Sequence, residues 1–246
     1  MLFSVSDLKG VSLHAADGDV GALRDLYFND EQWVVRYFVV ETGPRVFGKE
    51  VLISPASVET IDPESHRIQV DLTTEEIKGS PSIDLRKPVS RREEERLLQH
   101  YNLTPYWAGP DIWATAAYAR ELPSLTEEES EGAPSGHAEL AETRLRSCAE
   151  VRGYTVHGTD GTAGCISDFI TEHGTWRMRY LVVDSHRLLP GKRVLISPAW
   201  VTEIRWADRV VGVELSSRVI RDAPPFRSVS QVEGSYESAL RAHYGE

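Results

Sequence analysis

The run Gly43-Pro-Arg-Val-Phe-Gly48-Lys49-Glu50 is one residue short of the phosphate-cradling loop GxxxxGK[ST]. In that loop the Lys reaches the phosphates and the closing hydroxyl binds magnesium. Here the last position is Glu, and Val51-Leu52-Ile53 follows where a helix is required, so the segment reads as a loop entering a strand. Asp17, Asp19 and Asp25 could offer oxygens to calcium, but the EF-hand spacing and its closing Glu are missing. The eight histidines fall in no Cys/His or His-Glu-x-x-His spacing. There is no Gly-x-Ser-x-Gly elbow, and neither Cys148 nor Cys165 has a local activating motif. One bridge could join the two cysteines; the favoured reading is two free thiols of a reducing compartment, with Cys165 a small core residue. No catalytic residue, no cofactor and no metal ligand is expected, and the chain is expected not to be an enzyme.

The elements that hold these residues repeat. Lys49-Glu-Val-Leu-Ile-Ser-Pro-Ala-Ser-Val58 recurs as Lys192-Arg-Val-Leu-Ile-Ser-Pro-Ala-Trp-Val201, an offset of 143. Without a gap the same offset pairs Asp17-Gly18 with Asp160-Gly161, Gly21 with Gly164, Asp25 with Asp168, Trp33 with Trp176, and Arg36-Tyr37 with Arg179-Tyr180. His14 falls on His157. Glu94, Leu97, His100 and Tyr101 fall on Glu237, Leu240, His243 and Tyr244. Of the 72 positions from 10 to 81, 25 are identical, which marks a duplicated domain rather than a short solenoid unit.

Each copy reads as short strands. Asp17-Gly18 and Asp160-Gly161 are hairpin signals. Gly21–Tyr27, Trp33–Glu41 and Val51–Ser54, with their counterparts, carry the β-branched and aromatic residues that favour pleated structure. Ser54-Pro55 opens a tight or single helical turn. Val58–Ile61 and Ile68–Leu72 complete the sheet. Thr73 to Ile77 starts a short helix, and a longer one runs from about Arg91 to Tyr101, with Ser90 and Glu93 at capping-box spacing. Six short antiparallel strands suit a small closed barrel, because closure removes exposed edges. The expected fold is therefore mainly β: two small antiparallel barrels, each followed by short helices. The expected division is 1–103 for the first module, 104–143 for an aromatic segment and acidic linker, and 144–246 for the second module.

In both copies the ordered set Gly, Asp-Gly, Gly, Asp, Trp, Arg-Tyr-x-Val-Val, Gly-Lys, Val-Leu-Ile-Ser-Pro resembles the PRC-barrel domain. The resemblance covers about residues 1–81 and 144–224. It implies a small β-barrel of the kind found in the cytoplasmic domain of the photosynthetic reaction centre H subunit, and more distantly in the C-terminal barrel of the ribosome-maturation protein RimM. In both settings the barrel docks and assembles and does not catalyse. The chain looks like the bacterial tandem members of the family.

The net charge is −11, from 27 Lys+Arg against 38 Asp+Glu. Seven glutamates between Glu121 and Glu142 supply most of it with no Lys or Arg among them, leaving −4 on the remainder. The acidity is that of the connector, and no basic cluster offers phosphate contacts, so direct binding to DNA or RNA is not expected. The start lacks the basic and apolar regions of a signal peptide. No stretch approaches the ~18 apolar residues of a membrane span. The expected location is the cytoplasm, with membrane association only through a partner.

The expected function is interaction or assembly with an unidentified protein partner or with a second copy of the chain. The alternatives are an accessory role in ribosome or RNA maturation and binding of a small molecule between the barrels. Copy-specific aromatics are the interface candidates, because duplicated residues serve the shared fold: Tyr106, Trp107, Trp113, Trp200 and Trp206. Arg36 and Arg179 are expected to pair with Asp25 and Asp168 or to stack on aromatics.

Overall fold

In the computed structural model the β-branched runs form strands and the helical signals form helices close to where the sequence places them. The structure describes residues 1–43, 48–62, 65–85, 88–107, 144–185, 192–232 and 234–245. The Pro44–Phe47 part of the phosphate-loop resemblance and the acidic connector, with Trp113, lie outside the described residues.

The first sheet runs β5-β4-β3-β2-β7-β6. Its strands are β2 (Ser12–Ala15), β3 (Gly18–Asn29), β4 (Val34–Thr42), β5 (Lys49–Ile53), β6 (Val58–Asp62) and β7 (Arg67–Val70). The second sheet repeats the order as β12-β11-β10-β9-β14-β13. Its strands are β9 (Thr155–Gly158), β10 (Gly161–Glu172), β11 (Met178–Asp184), β12 (Arg193–Ile196), β13 (Val201–Arg205) and β14 (Val210–Val213).

The mainly β class is as expected, but two features of the expected barrel are not. The strand pairings leave each sheet open, with β5 and β6, or β12 and β13, at its ends. Nor is the pairing antiparallel throughout: β2 runs parallel to β7 and β9 parallel to β14. At the β5 edge a helix end stands where a closing strand would be. Helix α2 (Thr74–Lys78) ends beside it, and Lys49 Nζ donates to the Ser80 carbonyl at 2.6 Å. In the second sheet Lys192 Nζ donates to the Arg221 carbonyl of α5 (Ser217–Asp222) at 2.9 Å. A lysine thus meets the negative end of a helix and blunts a sheet edge in both copies.

Each sheet gains a seventh strand from the other copy. Strand β1 (Leu2–Ser4) pairs with β10 in the register Leu2↔Glu172, Phe3↔Thr171, Ser4↔Ile170. Strand β8 (Leu145–Ser147), its equivalent at offset 143, pairs with β3. The chain accordingly divides into one unit of Met1–Asp7, Ser147–His173 and Arg177–Glu246, and another of Leu8–Arg146 with Gly174–Trp176. These units are not the two sequence repeats, since each contains a piece of the other copy.

The cores are built on the long central strands. Residues 34–40 of β4 are all buried, so this strand is covered on both faces and does not show simple alternation. Gly21 and Gly164 allow the closest strand approach. A Cβ at Gly21 would lie 1.9 Å from the Glu41 carbonyl oxygen, and one at Gly164 would lie 2.1 Å from that of Asp184. Trp33 and Trp176 both hold left-handed backbone, at φ 55° and 56°. For bulky residues this costs on the order of 1–3 kcal/mol. Ring contacts of Trp33 on Phe28 (centroids 5.3 Å apart) and of Trp176 on Phe38 (4.9 Å) help hold the geometry. The Asn29 side chain shapes the first turn by accepting from Glu31 N at 3.0 Å and Gln32 N at 2.8 Å.

Candidate functional site

Helix α3 (Arg91–His100) begins at the capping box expected from sequence: the Ser90 and Glu93 side chains exchange bonds with each other's backbone. That start fixes the helix phase, and one turn in, Glu94 faces the sheet with no exposed surface. Its Oε1 accepts from the Tyr37 hydroxyl at 3.1 Å and the Tyr106 hydroxyl at 2.9 Å. Its Oε2 receives Arg91 Nη1 at 3.2 Å. Burial pushes the Glu94 carboxyl above the usual carboxylate range, against the opposing pull of Arg91 and the two hydroxyls. Burial and then the charge of Glu94 push Tyr37 and Tyr106 upward as well, which keeps both phenols protonated and donating.

Over this carboxylate lies the segment that follows α3. The Leu103 amide bonds the Leu98 carbonyl at 2.9 Å and carries the chain back across the helix. The Arg36 guanidinium stands 4.2 Å from the Tyr106 ring centroid, and that of Arg91 3.8 Å from the Trp107 ring. The two rings meet edge to face at 4.8 Å. Leu103–Trp107 is thus a peptide strap held by a carboxylate–hydroxyl bond and two cation–π contacts.

The second copy holds an open counterpart. At offset 143, Tyr180 donates to Glu237 Oε1 at 3.3 Å and Arg179 lies 3.6 Å from the same oxygen. Both glutamates therefore lie 57 positions after their tyrosine. Arg241 on α6 (Ser235–Tyr244) adds an i,i+4 bond at 2.9 Å. Here Glu237 is 27% exposed, Arg179 40% and Arg241 58%.

A third cluster locks the exchanged strand. Asp168 Oδ2 accepts from Ser4 Oγ at 2.5 Å, and its Oδ1 from Ser6 N at 3.1 Å and Arg152 Nη2 at 3.3 Å. Arg152 also donates to Ser6 Oγ at 2.6 Å. In the other unit Arg146, the middle residue of β8, donates to Asp30 at 3.0 Å.

Most of the repeated signature serves this framework. Asp17 accepts from Thr74 N at 2.7 Å at the start of α2, and Asp160 from Ser217 N at the start of α5. Those bonds hold both carboxyls below the usual carboxylate range. The aspartates of the two Asp-Gly turns therefore cap the first amides of the following helices. His100 and His243 bond the carbonyls of Glu76 and Val219, each at 2.8 Å. His14 pairs with Asp19, whereas His157 is exposed. In the second copy the expected Arg179–Asp168 pair is divided: Arg179 goes to Glu237 and Asp168 to Arg152. Arg36 donates to Gln32 and stacks on Tyr106.

Of the interface candidates, Tyr106 is buried on Glu94, and Trp107 stacks under Arg91. Trp200 and Trp206 flank β13, both half-buried. The Trp206 ring meets Tyr154 edge-on at 5.7 Å. The Trp200 indole N–H is buried without an acceptor among the described residues. Cys148 is buried and Cys165 half-buried. No group of three or more His, Cys, Asp or Glu side chains with metal-binding geometry occurs among the described residues. No helix among them is long and apolar enough to cross a membrane. Glu94 was visible in the sequence only as a match to Glu237. Ser4, Ser6 and Arg152 carried no signal, because Ser4 and Ser6 lie 164 and 162 positions from Asp168 and Arg152 lies 146 from Ser6, so the cluster forms only through the exchange.

No curated protein matches the chain. The PRC-barrel domain model matches residues 1–77, a span that begins in the donated strand β1 and runs through β7 to α2. Residues 1–77 of this chain are a PRC-barrel domain.

Proposed function

We propose that the chain is a non-catalytic interaction and assembly protein, made of two PRC-barrel copies in tandem. The observation that carries this reading is the reciprocal exchange of β1 and β8. β10 accepts a short segment through ladder bonds and reads its side chains through Asp168. This is the chemistry by which proteins add a partner's strand to a sheet. The second sheet's resemblance to the first supports the tandem reading, since its strand order is the same. The duplicated pairs Asp17/Asp160, Gly21/Gly164, Lys49/Lys192 and His100/His243 make framework contacts in both copies. Residues that the copies do not share are candidate contacts for a partner, above all the half-buried Trp200 and Trp206 beside the edge strand β13.

The test is cross-linking mass spectrometry on the chain isolated from its own cells, beside a Trp200→Ala/Trp206→Ala variant with an unchanged melting curve. Loss of a stoichiometric partner, or of self-association, in the variant is the expected result. An unchanged set of cross-links, or catalytic turnover by the purified chain, would overturn the reading.

A further inference from the structure

The two copies present the same recognition seam, filled in one and open in the other. In the first, Arg36 and Tyr37 of β4 and Glu94 of α3 hold the Tyr106-Trp107 strap. In the second, Arg179 and Tyr180 of β11 and Glu237 of α6 occupy the same register positions, 143 residues on. Tyr236 and Tyr244 pack against the core cluster that holds Tyr180, but among the described residues no ring lies over Arg179 or Arg241 as Tyr106 and Trp107 lie over Arg36 and Arg91. Glu237 Oε1 takes all the bonds the carboxylate makes, while Oε2 has no partner among the described residues and the side chain reaches solvent. In the first seam the corresponding carboxylate is completed by the strap's hydroxyl.

We infer that the Arg179–Tyr180–Glu237–Arg241 seam is a docking site for an extended peptide of a partner protein, one that presents a tyrosine followed by a second aromatic residue. The occupant's chemistry comes from the strap itself. The tyrosine hydroxyl would donate to Glu237, as that of Tyr106 donates to Glu94. Its ring would take the face of Arg179, and the next ring that of Arg241, as the strap's rings take Arg36 and Arg91.

The substitution pattern fits this use. Leu98, buried beneath the strap side of α3, is replaced at offset 143 by Arg241, 58% exposed. The open seam therefore carries two guanidinium groups around one carboxylate. That excess positive charge favours aromatic faces and an acidic flank on the peptide. The inference rests on the interaction-module reading and names the partner's chemistry at one surface of it.

The probe is the capped synthetic peptide Asn-Leu-Thr-Pro-Tyr-Trp, the sequence of residues 102–107, titrated into the full-length chain and followed by amide chemical shifts. Saturable binding that moves the signals of Arg179, Tyr180 and Glu237 is expected. Arg179→Ala or Glu237→Gln should weaken it at least about tenfold, and so should Phe in place of the peptide's Tyr. Melting curves of both variants show whether the fold is intact, and both replaced side chains are partly exposed. Absence of saturable binding at millimolar peptide would overturn the inference. So would binding that these substitutions leave unchanged, including binding that moves only the Glu94 region by displacing the strap. The tryptophan test of the broader reading is independent, so this seam can fail while that reading stands.

Discussion

Ser4 Oγ donates to Asp168 Oδ2 at 2.5 Å, joining residues 164 positions apart in the sequence. The bond fixes which sheet β1 enters, since Ser4 is buried and a short charge-assisted bond is among the stronger ones a hydroxyl can make. Asp168→Ala removes this bond and those to Ser6 N and Arg152 together. A loss of about 1–3 kcal/mol in unfolding free energy is expected from such a buried charged acceptor. Hydrogen exchange should show the loss first at Leu2–Ser4 and only later in β11, while Asp168→Asn should retain part of the protection.

Tyr106→Phe takes only the hydroxyl from the Glu94 site and leaves the ring on Arg36. Because hydrogen bonds to charged groups contribute roughly 1.5–3 kcal/mol, a destabilisation near the lower end is expected, Tyr37 still serving Oε1. Tyr106→Ala should cost more, about 3–5 kcal/mol, through loss of the buried ring. Denaturant melts of the two variants separate the bond from the packing.

The acid limb of stability should be set in part by the two helix caps. The folded-state pKa values of Asp17 and Asp160 lie below their ordinary values because their charged forms accept backbone bonds. Their contribution is present above about pH 4 and is lost as pH falls through the depressed values. Asp17→Asn/Asp160→Asn should flatten the fall in melting temperature between about pH 4 and 2. Glu94 acts in the opposite sense. Burial raises its pKa, so the contribution is full below the ordinary value and fades as pH rises through the raised one. Melting curves from pH 2 to 7 on the double variant and on Glu94→Gln check both signs.

His173 contacts the exchanged strand: its amide bonds the Met1 carbonyl at 2.9 Å and its ring meets Phe3 edge-on. Desolvation lowers its pKa below 6.5. The neutral ring's contribution is complete above 6.5 and is lost as pH falls through the lowered value. Protection factors at β1, corrected for the intrinsic exchange rate at each pH, should therefore fall on acidification below about pH 6.5, and His173→Gln should remove that fall.

Gly21→Ala and Gly164→Ala each place a Cβ about 2 Å from a backbone carbonyl oxygen. No rotamer relieves a clash with backbone, so each should cost about 3 kcal/mol or more. Thermal melts of the single variants check this, and Gly10→Ala, where a Cβ meets nothing within 4 Å, serves as the contrast for backbone strain alone at φ 85°.

Much of the architecture was legible in the residues. The 143-residue register, the β4 and β11 runs, the Ser-Pro turn, the start of α2 and the capping box of α3 are local patterns, whose physics is complete within a few residues. Three-residue strands such as β1 and β8 carry too few residues to show a period, and their identity lies in a distant edge. Two repeated copies offer the same edge chemistry, so pattern alone could not say which copy receives which strand. The sheet's openness and the parallel β2–β7 and β9–β14 pairs were likewise decided by long-range packing, with Lys49 and Lys192 holding helix ends at the edges. At the site, sequence matched Glu94 to Glu237 and singled out Tyr106 and Trp107 as unshared. Only the tertiary structure joined them, because a carboxylate becomes a buried recognition point when a strap excludes its water, and remains a surface group where none of the described chain does so.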